Sequence, residues 1–214
     1  MIRAGVLPAR AVAGVVALHG RGGSAADMGG LLDQARVLAD VAAILPEAPG
    51  RTWWPTSFLA PSAQIEPCVA AGVASVLGAV AELEAEGMTR DRIWLMGFSQ
   101  GACLALETFA RAGEGLAGVF GFSGGLIGTS DAGGAPEAAL YGHAPKRFDY
   151  AGRRSGQVWL SCHARDPHIP LARVEDTARI LSQSGASVET LIHPGAGHGI
   201  GAADIAALRR HLAR

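Results

Sequence analysis

The sequence predicts an α/β fold, a mostly parallel central sheet with helices on both faces. Two observations lead there. Short β-type runs alternate with helical runs along the chain, which is how parallel strands and their crossover helices are written. The chain has 214 residues, 49% of them apolar, enough to bury roughly 70% of its unfolded surface in a full core. No internal repeat or linker divides the chain, so residues 1–214 read as a single domain.

In chain order, Val12 to Leu18 is a buried-strand run, followed by a Gly-rich turn and a helix near Ala25 to Leu38. Val41 to Leu45 is a second strand. A Pro- and Trp-rich loop covers Pro46 to Ile65, and Pro67 suits the first turn of a helix. From there Val69, Val73, Val76, Val80 and Leu83 form one apolar stripe at helical spacing. Arg92 to Phe98 is the next strand, Gly101 to Ala112 a helix and Gly118 to Phe122 a strand. Gly124 to Gln157 is punctuated by Gly and Pro without a period, and is too long for an ordinary connection. It is expected to be a long loop or small cap insertion. Val158 to Cys162 (strand), Leu171 to Ser184 (helix), Val188 to Ile192 (strand) and Ala202 to Leu212 (helix) complete the order. No strand is predicted before Val12.

Composition narrows the function classes. Charged residues make up 17%, below the usual ~25%, which excludes a disordered or solvating chain. The net charge is −1, and 17 of the 18 basic residues are Arg, Lys146 being the one Lys. Nucleic-acid or polybasic membrane binding would need clustered positive charge, which is missing. Cys68, Cys103 and Cys162 are too scattered for a disulfide framework or a CxxC zinc site. The N-terminus shows no apolar signal region. The longest near-apolar run, Cys68 to Ala81, is shorter than a bilayer span and is broken by Ser75. The expectation is a soluble, cytoplasmic protein without an integral membrane segment.

Ligands in such sheets bind at the carboxyl ends of strands, so the residues following each strand carry the most information. Gly97-Phe98-Ser99-Gln100-Gly101 matches Gly-x-Ser-x-Gly. So does Gly121-Phe122-Ser123-Gly124-Gly125. The motif needs a sharp strand-to-helix turn, with glycines at −2 and +2 for close approach. After Ser99 come good helix formers. After Ser123 comes Gly-Gly-Leu-Ile-Gly-Thr, which cannot sustain a helix. Ser99 is therefore the candidate nucleophile, and Ser123 a turn residue.

A serine hydroxyl needs a general base, and the base an orienting carboxylate, here in the chain order Ser, Asp/Glu, His. His198 lies in a Gly-rich loop between the last strand and the last helix, where the base belongs. His193, at the strand end, is the alternative. Asp166 directly follows the strand that begins at Val158, stiffened by Pro167. His163-x-x-Asp166-x-His168 could suggest a metal site, but no second cluster supplies further ligands. His168 is instead expected to line the pocket. No metal is implied.

His19-Gly20-Arg21-Gly22-Gly23 follows the first strong strand. An oxyanion hole takes one backbone N–H from the residue after the nucleophile, Gln100, and one from this early loop, Arg21. The Arg21 side chain would either bind an anionic group at the mouth or pair with a nearby acid. The same loop reads as Gly20-x-Gly22-x-x-Ala25, a dinucleotide fingerprint, with Glu47 as the ribose-binding acid. That reading explains one motif and leaves the other three as coincidence. Trp54, Phe58, Leu59 and Ile169 form either an apolar acyl wall or ordinary core.

Together, Leu18-His19-Gly20-Arg21-Gly22-Gly23, Gly97-Phe98-Ser99-Gln100-Gly101-Ala102, Asp166-Pro167-His168-Ile169-Pro170 and Gly195-x-Gly197-His198 resemble the phospholipase/carboxylesterase family of α/β-hydrolases, relatives of the acyl-protein thioesterases. Trp53-Trp54-Pro55 and Ser57 to Pro61 resemble its loop beside the acyl site. The resemblance implies an α/β-hydrolase fold, Ser99, Asp166 and His198 as a triad, and hydrolysis of esters, thioesters or lysophospholipids without a cofactor. Arg21 stands where thioesterase members often carry an apolar residue. The 124–157 stretch is longer than the family's usual connection, and the N-terminus is shorter. Ser99 in place of Cys argues against a dienelactone-hydrolase-like mechanism. A non-catalytic binding module on this fold is disfavoured because every triad position is filled. The expected partner is a small ester or thioester. A second copy of the chain, as a homodimer, is left open.

Overall fold

The computed structural model describes residues 1–213. Strands Ile2–Gly5 (β1), Ala13–Leu18 (β2), Val41–Leu45 (β3), Ile93–Phe98 (β4) and Gly118–Phe122 (β5) come first. A two-stranded ribbon, Ser130–Asp131 (β6) with Lys146–Arg147 (β7), follows, and then Gln157–Arg165 (β8) and Ser187–Ala196 (β9). The main sheet runs β1-β3-β2-β4-β5-β8-β9. Only β1 is antiparallel to its neighbour; the other pairings are parallel. The near-continuous apolar strands β2 to β5 are buried on both faces, as parallel strands under helices must be.

Two helical layers provide that cover. Ala25–Gln34 (α1) and Ala202–Leu212 (α5) pack on one face, against Val15, Ala17, Met96 and Phe120. Ser62–Ala85 (α2), Gln100–Ala112 (α3) and Leu171–Gln183 (α4) pack on the other, against Val16, Leu18, Leu95 and Val119. Successive strand residues thus serve opposite cores, the period-2 rule. From β2 the chain crosses to β3 on one side and then returns to β4 on the other. The carboxyl ends of β2 and β4 therefore flank a crevice at the switch point. The 19–23 loop leaves β2 there, and Ser99 leaves β4 there.

The structure corrects the sequence reading in several places. A strand does precede Val12. Residues Ile2–Gly5 are mostly exposed and carry no alternation, so their strand character comes entirely from pairing with β3. Helix α2 starts at Ser62, not at Pro67, which sits inside it. The buried stripe extends upstream to Ile65, and its packing outweighs the backbone bond that Pro67 forfeits. Helix α1 ends at Gln34, and Arg36 turns the chain out in the left-handed region at φ 55°. Strands β8 and β9 are longer than their apolar cores.

The 124–157 excursion is tied down rather than loose. Lys146 Nζ, almost wholly buried, holds Asp131 at 2.6 Å and donates to Ser62 Oγ at 3.1 Å, at the start of α2. Helix α2 is long and apolar enough by length and composition to cross a bilayer. Here its Ile65, Val69, Val76, Val80 and Leu83 face the sheet and α3.

Candidate active site

Three carboxyl-end turns converge at the crevice. Ser99 sits between β4 and α3 at φ 54°, ψ −118°, a conformation L residues seldom adopt. The flanking glycines make this turn sterically feasible. A Cβ on Gly97 would lie 2.2 Å from the Gly101 carbonyl oxygen, and one on Gly101 would lie 2.2 Å from that of Leu18. Ser99 is anchored by its N–H, which donates to the Phe122 carbonyl at 2.9 Å.

His198 Nε2 lies 2.8 Å from Ser99 Oγ, and His198 Nδ1 lies 2.7 Å from Asp166 Oδ2. The carboxylate Oδ1 accepts from the backbone N–H groups of His168 at 2.8 Å and Ile169 at 3.0 Å. Burial pushes the Asp166 carboxyl up. The hydrogen bonds from His198, His168 and Ile169 outweigh it and hold the group below the usual carboxylate range. An ionised Asp166 keeps the proton of His198 on Nδ1, leaving Nε2 free to accept from Ser99. Phe98 and His168 pack on the His198 ring, His168 edge-on at 4.9 Å between centroids.

The second Gly-x-Ser-x-Gly takes a different part. Ser123 also has a positive φ, 51°, but no helix follows it. Its buried Oγ donates to the Gly199 carbonyl at 3.3 Å, holding the loop that carries His198. His193, the alternative base, is turned away and bound to buried Asp204 at 3.0 Å.

The 19–23 loop is braced from two sides. His19 Nε2 accepts from the Ala48 N–H at 3.1 Å, so Nδ1 must carry the proton it donates to the Gly20 carbonyl at 2.7 Å. Gln100 begins α3, where a backbone N–H has no intrahelical acceptor. Its buried side chain donates to the Trp54 carbonyl at 2.7 Å and accepts from the Trp53 N–H at 2.9 Å. The Arg21 side chain does neither of the things expected of it. It donates to the backbone carbonyls of Pro55, at 2.7 Å, and of Thr56, clamping the Trp-rich loop. Its partners lie more than thirty residues away in sequence, so no local signal could reveal them.

The dinucleotide reading loses its ligands to the protein itself. Glu47 Oε2 accepts from the Ala25 N–H at 2.9 Å, and Ser24 with Asp27 forms a capping box on the same helix. The N–H groups of Ser24, Ala25 and Asp27 at the start of α1 are therefore already taken.

A cavity of about 500 Å³ opens over Ser99 and His198. Trp54, Phe58, His168 and Ile169 line it, together with Gly20, Arg21 and Gln100. Leu59 does not; it is buried in the core behind the loop. Phe58 and Leu59 are adjacent and similar, and only the turn of the loop decides which faces the cavity. Phe98, Ser57 and Cys103 also line it and were missed. Burial pushes the Cys103 thiol up to about 12, so it stays protonated at neutral pH and is no rival nucleophile.

The profile of the phospholipase/carboxylesterase family matches residues 4–140. The chain belongs to that family. Among solved structures, a phospholipase/carboxylesterase from Dyadobacter fermentans is 37% identical over 98% of this chain and 93% of that one, with TM-score 0.84. The esterase PE8 is 27% identical over 99% and 98%, with TM-score 0.73. A carboxylesterase from Bacillus cereus is 16% identical over 98% and 91%, with TM-score 0.72, a likeness in fold alone. No curated protein matches the chain. The esterase is thus a carboxylesterase-type hydrolase with the α/β-hydrolase fold.

Proposed function

We propose that the 214 residues act as one domain, a serine carboxylesterase that works through an acyl-enzyme. The observation carrying this reading is the chain of contacts Ser99 Oγ–His198 Nε2 (2.8 Å) and His198 Nδ1–Asp166 Oδ2 (2.7 Å) at the mouth of an apolar cavity. His198 takes the Ser99 proton as Oγ bonds to the acyl carbon. The N–H groups of Gln100 and Arg21 receive the oxyanion. The C–O bond to the alcohol breaks, and the alcohol leaves with the proton from His198. Water then attacks the acyl-enzyme, giving one proton to His198, which returns it to Ser99 Oγ as the acid departs.

The cavity is lined by Trp54, Phe58 and Ile169, which suits small or medium acyl groups. Thioesters and lysophospholipids would follow the same steps. The family match makes carboxylic esters the favoured class. Three free cysteines fit a reducing, cytoplasmic setting.

The test is hydrolysis of p-nitrophenyl esters from acetate to palmitate by the wild type and Ser99→Ala, with fluorophosphonate labelling of Ser99. The expected result is turnover and labelling in the wild type, with both lost in a folded Ser99→Ala. An unlabelled, inactive wild type would overturn the reading.

A further inference from the structure

Just behind the acyl cavity lies a cation without a counter-ion. Arg173, on the first turn of α4, is 1% exposed. Its guanidinium makes one hydrogen bond, from Nη1 to the Leu126 carbonyl at 3.1 Å, and its Nε–H is buried with no partner. No carboxylate pairs with it among the described residues. The carboxylates whose charge acts on it are taken: Asp176 holds Arg179 at 2.8 Å, and Glu107 holds Arg111 at 2.7 Å. Removing a guanidinium from water without an anionic partner is unfavourable. Burial accordingly pulls the Arg173 pKa down.

The position of this cation links it to the site. Its guanidinium carbon lies 6.0 Å from the Phe58 ring centroid and 5.0 Å from that of Phe148. Phe58 lines the cavity, and so does Cys103. Cys103 stands one helical turn into α3 from Ser99, and Arg173 one turn into α4 from Ile169. Arg173 does not itself line the cavity, but it lies against the ring of Phe58, which does. Trp54, another lining residue, has its indole Nε1–H buried without an acceptor. The unmet Arg173 Nε–H is a donor, so its missing partner is an acceptor, and the unpaired charge calls for an anionic one.

We propose that Arg173 is a specificity-determining residue that receives a carboxylate at the far end of the acyl group. The preferred substrates would then be monoesters of short dicarboxylic acids. This deepens the esterase reading and rests on it.

The test compares isosteric pairs in which a carboxylate replaces a methyl: monoethyl succinate against ethyl butyrate, and monoethyl glutarate against ethyl valerate. Ethyl leaving groups are used because a neighbouring carboxylate can displace p-nitrophenol unaided. Release of acid is followed for the wild type, Arg173→Gln and Arg173→Met. The readout is the ratio of kcat/KM within each pair, which cancels any general loss of activity. The expected wild-type ratio favours the carboxylate by roughly tenfold or more, the effect of one charge-assisted hydrogen bond. In both variants the ratio should fall to about one or below.

A wild-type ratio at or below one overturns the proposal by itself, even if neither variant folds. So does a ratio that survives in the variants. Neutral esters turned over without any carboxylate preference leave the esterase reading standing. Inactivity on every ester, with no fluorophosphonate labelling, overturns both.

Discussion

Gly101→Ala should damage both activity and stability, and the structure sets the size of the effect. The new Cβ would sit 2.2 Å from the Leu18 carbonyl oxygen and 2.5 Å from that of His19, where ordinary contact begins at 3.4 Å. The gap to be made up is 3.4 − 2.2, or 1.2 Å. Both obstacles are backbone, so no side chain can swing aside. The start of α3 must instead separate from the 19–23 loop. Those two segments carry the two N–H groups assigned to the oxyanion, and a misplacement of about 1 Å costs roughly 100-fold in rate. Overpacking of this kind costs about 1–3 kcal/mol in stability, or roughly 2–4 °C in Tm per kcal/mol for a chain of this size. Gly78→Ala is the matched control. Nothing lies within 4 Å of a Cβ there, in the interior of α2. It should stabilise by roughly 0.5–1 kcal/mol and leave kcat/KM alone. Ester hydrolysis and thermal melting measure both. Gly101→Ala with wild-type kcat/KM and Tm would refute the claim that this contact holds the site together.

Phe58→Ala should shift the acyl-length optimum upward by enlarging the cavity. Leu59→Ala should cost about 2–5 kcal/mol of stability without moving that optimum, and a shifted optimum in Leu59→Ala would contradict the placement of these neighbours. Asp166→Asn should lower kcat by about 10⁴ through loss of the correct His198 tautomer. Asp166 is held below its unfolded value of about 3.9, so its contribution to stability is complete above that pH and disappears as pH falls through the folded value. Urea unfolding of Asp166→Asn should therefore show a shallower acid loss than the wild type, and an equal loss would argue against this linkage.

The residues that leave the ends of strands were legible in the sequence because their signals are local. Glycines flanking Ser99, helix formers after it, and the short Gly-rich loop at His198 each say what the backbone does within a few residues. The parallel sheet followed in the same way, from runs too apolar to have a wet face. Tertiary structure alone decided what depends on distant partners. β1 exists because β3 offers it an edge. Pro67 lies inside a helix because Ile65 and Val69 are buried on one stripe. Arg21 is a clamp because the Pro55 and Thr56 carbonyls come within its reach. Leu59 is core while Phe58 lines the cavity. Arg173, on an amphipathic helix, looks like any other surface arginine in the sequence, and only the packing of α4 beneath residues 124–127 buries it without an acid. Local backbone preference is encoded over a few residues, whereas burial and pairing are settled only where distant segments meet.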